Sequence, residues 1–237
     1  MAVQTRAIKR RIKSVKNTRK ITKAMELVAG SKMRRAVSAV LASRPYAKLA
    51  WNTVTAIGKH TDTSLHPLLR RREEVKRVLL FIITSDRGLA GGFNTNVIRK
   101  TREAVKALGE GMEIQTVCVG KRGADAMRRL GLPILASFLE VTNNTSFEDV
   151  LPIGRMVVEE FKKGTFDKAV LSYTDFVSAL TQSPVILDLL PLSAQTVKGV
   201  GQVTQDGRQE DKKFTKASEY TFEPSPHEVL DRMLPRL

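Results

Sequence analysis

The residues with the most suggestive spacing lie in Ile83–Val97, ITSDRGLAGGFNTNV. An apolar run ends in Thr84-Ser85-Asp86, turns through Gly88, Gly91 and Gly92, and restarts with helical periodicity at Phe93. Phosphate-binding loops have this outline. A dinucleotide fingerprint, however, needs G-x-G-x-x-G, and a P-loop needs G-x-x-x-x-G-K-[ST]. The glycines here fit neither spacing, and no lysine follows them to reach a phosphate. Asp86 and Arg87 fall at the C-terminal end of an expected strand, where α/β sites are built. A tight strand-to-helix turn accounts for the same residues. Gly91 and Gly92 permit backbone angles closed to other residues, and Asp86 can accept hydrogen bonds from the turn itself. Asp86, Gly88, Gly91 and Gly92 are therefore read as structural turn residues, and no cofactor is expected.

Other chemistry is sparse. Cys118 is the single cysteine, so an internal disulfide and any multi-cysteine metal site are excluded, and a reducing, cytoplasmic setting is expected. It sits in an apolar run and reads as a small core residue. His60 and His66 lack a carboxylate or cysteine at metal-ligand spacing and read as solvated loop histidines. No Ser/His/Asp or Cys/His constellation stands out, so the expectation is a chain without catalytic or metal-ligating residues.

The elements around the loop alternate. Strands are expected at Val78–Thr84, Ile114–Val119, Ile134–Val141 and Lys168–Thr174, with a possible edge strand at Pro184–Leu190. Helices are expected at Phe93–Leu108, Lys121–Leu130 and Ser146–Lys163. Continuous Val/Ile/Leu runs between helices indicate an α/β domain with a largely parallel sheet. The longest apolar run, Val78–Ile83, is far short of the ~20 residues a bilayer-spanning helix needs.

Charge is the other strong signal. The formal net charge is +16, and residues 1–50 alone hold fourteen Lys/Arg against Glu26, or +13. Such a segment suits nucleic acid, an anionic membrane or an acidic protein surface. Within it, apolar or small residues recur at steps of four and three: Ile8, Ile12, Val15, Thr22, Ala29, Met33, Ala36, Val40, Ala47, Ala50, Val54, Ile57. Arg19, Glu26 and Ser43 interrupt the series without losing its register. A 3.5-residue repeat marks a coiled-coil seam. A helix of this length reaches roughly 80 Å, with Pro45 as a potential kink. The later helical patterns are too short to cover such a seam. A solvated single helix and a basic-zipper DNA binder are the competing readings. The zipper reading is weakened because the basic residues share the seam's own turns and the seam carries Ala and Met rather than Leu.

Four segments together resemble the gamma subunit family of F-type ATP synthase: IKSVKNTRKITKAMELVAGSKMRR (12–35), SRPYA (43–47), ITSDRGLAGGFNTNV (83–97) and EYTFEPSPHEVLDRMLPR (219–236). The resemblance runs the whole chain in order. It implies a non-catalytic central rotor stalk with partners in the alpha and beta subunits, the epsilon subunit and the membrane c-ring, at the cytoplasmic face of the bacterial inner membrane. The expected fold class is α/β: a long N-terminal coiled-coil helix, a Rossmann-like domain and the start of a truncated C-terminal helix. The expected regions are a coiled-coil helix at 1–58, a linker at 59–75, an α/β domain at 76–194, an exposed excursion at 195–224 and the helix start at 225–237, where Ser225 and Glu228 form a capping-box pair.

The resemblance also implies contact residues. Lys13, Lys16, Arg19, Lys20 and Lys23 are expected to meet an acidic loop of the beta subunits, and Met25 matches a position near them. Tyr220, Phe222 and Glu223 match the segment that approaches the c-ring or epsilon. Family members continue into a C-terminal helix of roughly fifty residues, the length that pairs with the N-terminal one at equal rise. This sequence ends at Leu237, so a truncated gene or fragment is expected, with a helix supplied by a second chain, or a diverged short stalk, as the other readings. Outside the family, a nucleic-acid-binding protein using its basic helix is the alternative function, followed by a nucleotide-using enzyme built on the 83–97 loop.

Overall fold

The computed structural model describes residues 2–60, 67–70, 72, 74–109, 111–141, 147–192 and 228. The chain divides into two compact units, 1–47 and 48–237.

The first unit is helical. Helix α1 runs from Ala2 to His60 and passes through Pro45 without a break. Long runs without glycine or β-branched clusters suit helix propagation, and Gly30 is the one glycine within residues 2–57. None of the described side chains of residues 4–47 is buried. Ile8, Ile12, Val15, Ile21, Met25, Val28 and Met33 are all exposed.

The second unit holds the sheet. Its elements are β1 (Arg77–Ile83), α2 (Phe93–Leu108), β2 (Glu113–Val119), α3 (Lys121–Arg129), β3 (Ile134–Phe138), α4 (Phe147–Lys163), β4 (Lys168–Phe176) and β5 (Gln182–Leu190). The strand order is β3-β2-β1-β4-β5. Strands β1, β2, β3 and β4 are parallel, and β5 returns antiparallel along β4. The largely parallel α/β fold read from the sequence is the one observed.

The continuous apolar character of β1 reflects burial on both faces. Leu79 and Phe81 pack with Val117 and Val119 against Ile153, Val157 and Phe161 of α4. Ile82 packs on the opposite face with Cys118 and with Ala124, Ala126 and Met127 of α3. Val78, Leu80, Ile114 and Val170 complete that side, against Val105 and Leu108 of α2. Cys118 is a core residue as expected, and burial raises its thiol pKa despite the Thr116 hydroxyl and the nearby Arg128 charge.

Four expected details differ: His60, read as a loop residue, is the last residue of α1, and β4 runs two residues past Thr174 to Phe176. The third strand stops at Phe138 rather than Val141, because Glu140 takes φ +62° and leaves the strand conformation. The last strand begins at Gln182, two residues early, in register with Phe176 of β4. Of the expected C-terminal helix start, Glu228 is described and is helical; the rest of it, the expected excursion at 195–224 with Tyr220, Phe222 and Glu223, and His66 lie outside the described residues.

Candidate functional site

The glycine loop lies at the C-terminal ends of the parallel strands. Thr84, Ser85 and Asp86 each point an acceptor at the start of α3. Lys121 N–H donates to Asp86 Oδ1 at 2.9 Å. Arg122 N–H donates to the Ser85 carbonyl at 3.2 Å. Gly123 N–H donates to Thr84 Oγ1 at 2.8 Å. These are the first three amides of the helix, which have no intrahelical partner and which α/β nucleotide sites offer to phosphate. Here consecutive residues of β1's exit loop take them one by one. The negative Asp86 carboxylate also sits at the positive end of the α3 dipole.

The same loop reaches the next strand. Asp86 Oδ2 accepts the Glu140 N–H at 3.0 Å, just past β3. Asp86 was expected to accept from its own turn. The donors shown are Lys121 and Glu140, residues from two neighbouring connections, so Asp86 ties three loops together. Ser85 is bound in turn by Asn94 of α2: Ser85 N–H donates to Asn94 Oδ1 at 3.0 Å, and Asn94 Nδ2 donates to Ser85 Oγ at 2.8 Å.

The glycines divide by role. Gly91 has φ +55°, the left-handed region that favours glycine, with open space around a would-be Cβ. Gly92 has φ −81°, an ordinary helical value, so the expected special backbone angle is found at Gly91 and not at Gly92. A Cβ on Gly92 would meet Asn96 Nδ2 at 3.0 Å, and one on Gly88 would meet Arg122 Nη2 at 3.0 Å. Leu89, between them, also has φ +62° and is 96% exposed. The most demanding glycine is one outside the motif. Gly120 has φ +92°, and a Cβ there would lie 2.2 Å from the Thr84 carbonyl oxygen. Sequence reasoning missed Gly120, Thr84 and Gly123. The available signal was a pair of glycines flanking the start of α3 directly after a strand, a mark of close backbone approach.

On α1, each residue advances about 100° around the axis. Lys13, Lys16, Lys20 and Lys23 therefore share one side of the helix. Lys23 is paired with Glu26 at 3.0 Å on the exposed surface. Arg19 falls in the apolar seam, in step with Ile12 and Val15. Met25 is nine residues from Lys16 and faces the opposite side by helical rotation, in step with Ile21 and Val28. All of these side chains are exposed. The five expected cationic residues thus lie on one side of the helix, with Met25 on the other. Among the described residues no cluster of His, Cys, Asp or Glu has a metal-binding arrangement. No described helix is long and apolar enough to cross a membrane.

A family model described as ATP synthase matches residues 4–237. The ATP synthase gamma chain of Heliobacterium modesticaldum is 41% identical over 233 residues, covering 98% of this chain and 76% of the relative. That of Alkaliphilus metalliredigens is 39% identical over 236 residues, covering 100% and 77%. Among solved structures, a chain from the central stalk and c-ring of the Tetrahymena thermophila mitochondrial ATP synthase matches with TM-score 0.60 and 21% identity, over 91% of this chain and 86% of its own. That likeness bears on the fold.

Proposed function

We propose that this chain, a member of the ATP synthase gamma chain family, is a central-stalk subunit whose helix α1 is the shaft that the catalytic beta subunits grip. The observation that carries this reading is the family match over residues 4–237 on a chain whose helix α1 leaves every described side chain of residues 4–47 unburied. Apolar residues such as Ile12, Met25 and Val28 gain roughly 25 cal/mol per Å² once another surface covers them. A shaft turning inside a ring of subunits meets such surfaces on all sides. Lys13, Lys16, Arg19, Lys20 and Lys23 give the shaft a cationic side, and Met25 adds an apolar contact on the opposite one. Long-range attraction between these cations and acidic loops tolerates rotation more readily than fixed interlocking contacts.

In this reading the α/β domain is the base, and the subunit is non-catalytic. The donors that would cradle a phosphate at α3 are already bonded to Thr84, Ser85 and Asp86, which supports a structural loop. The partners are the alpha, beta and epsilon subunits and the c-ring, the last two contacted through Tyr220, Phe222 and Glu223. The subunit is peripheral, at the cytoplasmic face of the bacterial inner membrane. Residues 1–58 act as shaft, 59–75 as linker, 76–194 as base, and 195–237 as an excursion followed by the start of a second shaft helix. The comparisons give the nucleic-acid-binding reading no support.

The test is assembly with alpha, beta and epsilon subunits on c-ring-containing membranes, with Met25→Lys beside the unaltered chain. A lysine at an apolar contact adds a charge that must be desolvated at each step of rotation. ATP-driven proton pumping is expected to fall while the complex still assembles. Unchanged pumping per ATP, or no affinity of the unaltered chain for alpha and beta, overturns the shaft assignment.

A further inference from the structure

Asp167 is a buried acid that neither the loop nor the helix uses. It lies in the turn between α4 and β4 and is 4% exposed. Its Oδ1 accepts from Arg72 Nη1 at 2.8 Å and from Arg77 Nη2 at 3.2 Å. Its Oδ2 accepts from the backbone N–H of Lys76 at 3.0 Å and of Arg77 at 2.8 Å. Its own N–H donates to the Arg77 carbonyl at 2.8 Å. Arg72 and Lys76 belong to the stretch that leads from α1 into β1, and Arg77 is the first residue of β1.

That stretch is anchored at a second point. Leu68 and Leu69 are buried in the α4-side core with Ile153, Phe161 and Phe166. Leu190 and Leu192, where the chain leaves the sheet, lie in the same cluster. Leu192 N–H donates to the Leu68 carbonyl at 2.9 Å. The Arg72 guanidinium also lies over the Phe161 ring, 5.9 Å from its centre. The incoming and outgoing chains are therefore bonded to each other, and the incoming one is bonded to the root of β4.

We propose that Asp167 is a torque-bearing positioning residue, which locks the chain arriving from α1 to the sheet so that twist in the shaft passes into the base without slippage. The proposal rests on the central-stalk reading. The covalent path from α1 into β1 runs through residues 61–76. Apolar contacts such as Leu68 and Leu69 resist separation but are non-directional, and they resist sliding weakly. A carboxylate bonded to two consecutive amides and two guanidinium groups fixes both register and direction, and charge-assisted bonds are the strong ones. Burying a charge is a poor route to stability alone, since a packed apolar group often serves as well. A bonded carboxylate at the neck is what directional load requires.

The experiment uses the assembled complex with Asp167→Asn, Arg72→Gln and Arg72→Lys. It reads ATP hydrolysis, protons pumped per ATP, and the torsional stiffness of the rotor through a probe fixed to the α/β domain. Asp167→Asn is expected to leave hydrolysis near the unaltered rate while pumping per ATP and stiffness fall several-fold. Arg72→Gln should show a smaller loss, and Arg72→Lys should recover most of it. If Asp167→Asn does not assemble, Arg72→Gln decides, because Asp167 then keeps Arg77 and both amides. Stiffness and pumping per ATP equal to the unaltered complex in the variants that assemble overturn the proposal. So does a loss of hydrolysis and pumping in strict proportion that Arg72→Lys fails to restore. An unaltered chain that never couples hydrolysis to pumping sinks the central-stalk reading as well, which separates the two failures.

Discussion

Helix α1 and strand β1 are both rich in aliphatic residues, yet they meet opposite fates. In β1, Val78, Leu79, Leu80, Phe81 and Ile82 are all buried by their own chain. In α1, Ile8, Ile12, Val15, Ile21 and Met25 are each about half exposed or more, and the surrounding residues carry most of the net charge. The base satisfies itself, whereas the helix presents surface. Self-burial therefore belongs to one region, and exposed apolar surface to the other.

The hardest test of that division is Gly120→Ala. Its positive φ and the 2.2 Å approach to the Thr84 carbonyl leave no room for a methyl group, so the base must distort at the joint of β1, β2 and α3. A loss of about 4 kcal/mol or more is expected, read as the unfolding midpoint of the isolated chain in urea. A loss under about 1 kcal/mol would break the claim that this joint is tightly determined.

A paired substitution sharpens the contrast. Leu79→Ala removes a side chain that is 1% exposed and should cost about 3 kcal/mol, within the usual cavity range. Ile12→Ala, at a half-exposed site, should change the stability of the isolated chain by less than about 0.5 kcal/mol. It should instead weaken binding to the alpha and beta subunits. Equal losses in the isolated chain would erase the distinction between the regions.

A further effect concerns acid. Burial pushes the Asp167 carboxyl up, but the Arg77 and Lys76 amides and the Arg77 guanidinium outweigh it, and its pKa ends below the ordinary value. A depressed carboxyl pKa adds stability above the unfolded value of about 3.9, and this is lost as pH falls through the lower folded value. The gap between the unaltered chain and Asp167→Asn should be about 2 kcal/mol at pH 6 and shrink below about pH 4. Denaturant unfolding across that range measures it. A gap independent of pH would mean that the ionised carboxylate is not what holds the neck.

Much of the base was legible because its signals are local. Apolar runs such as Val78–Ile83 and helical spacings such as Phe93–Leu108 fall within one residue of their elements at most ends. The long helix was equally plain from its spacing. The bonds that organise the loop and the neck were not legible, because they join distant positions. Asp86 meets residues 35 and 54 positions away, and Asp167 meets residues 90 to 95 positions away. No sequence period records such pairings. The end of β3 was misplaced for a related reason. The apolar pattern continues through Leu139, and the positive φ that stops the strand falls on Glu140, a residue with no turn preference to announce it.

The run Thr84-Ser85-Asp86 has one more mechanical meaning. Because three neighbouring acceptors engage three neighbouring amides, sliding α3 by a single step against the end of β1 would strip all three bonds together. A lone tether would yield gradually; this arrangement works like the teeth of a pawl, holding fully or releasing at once. A subunit that carries load through rotation, as proposed above, is well served by a joint that cannot creep.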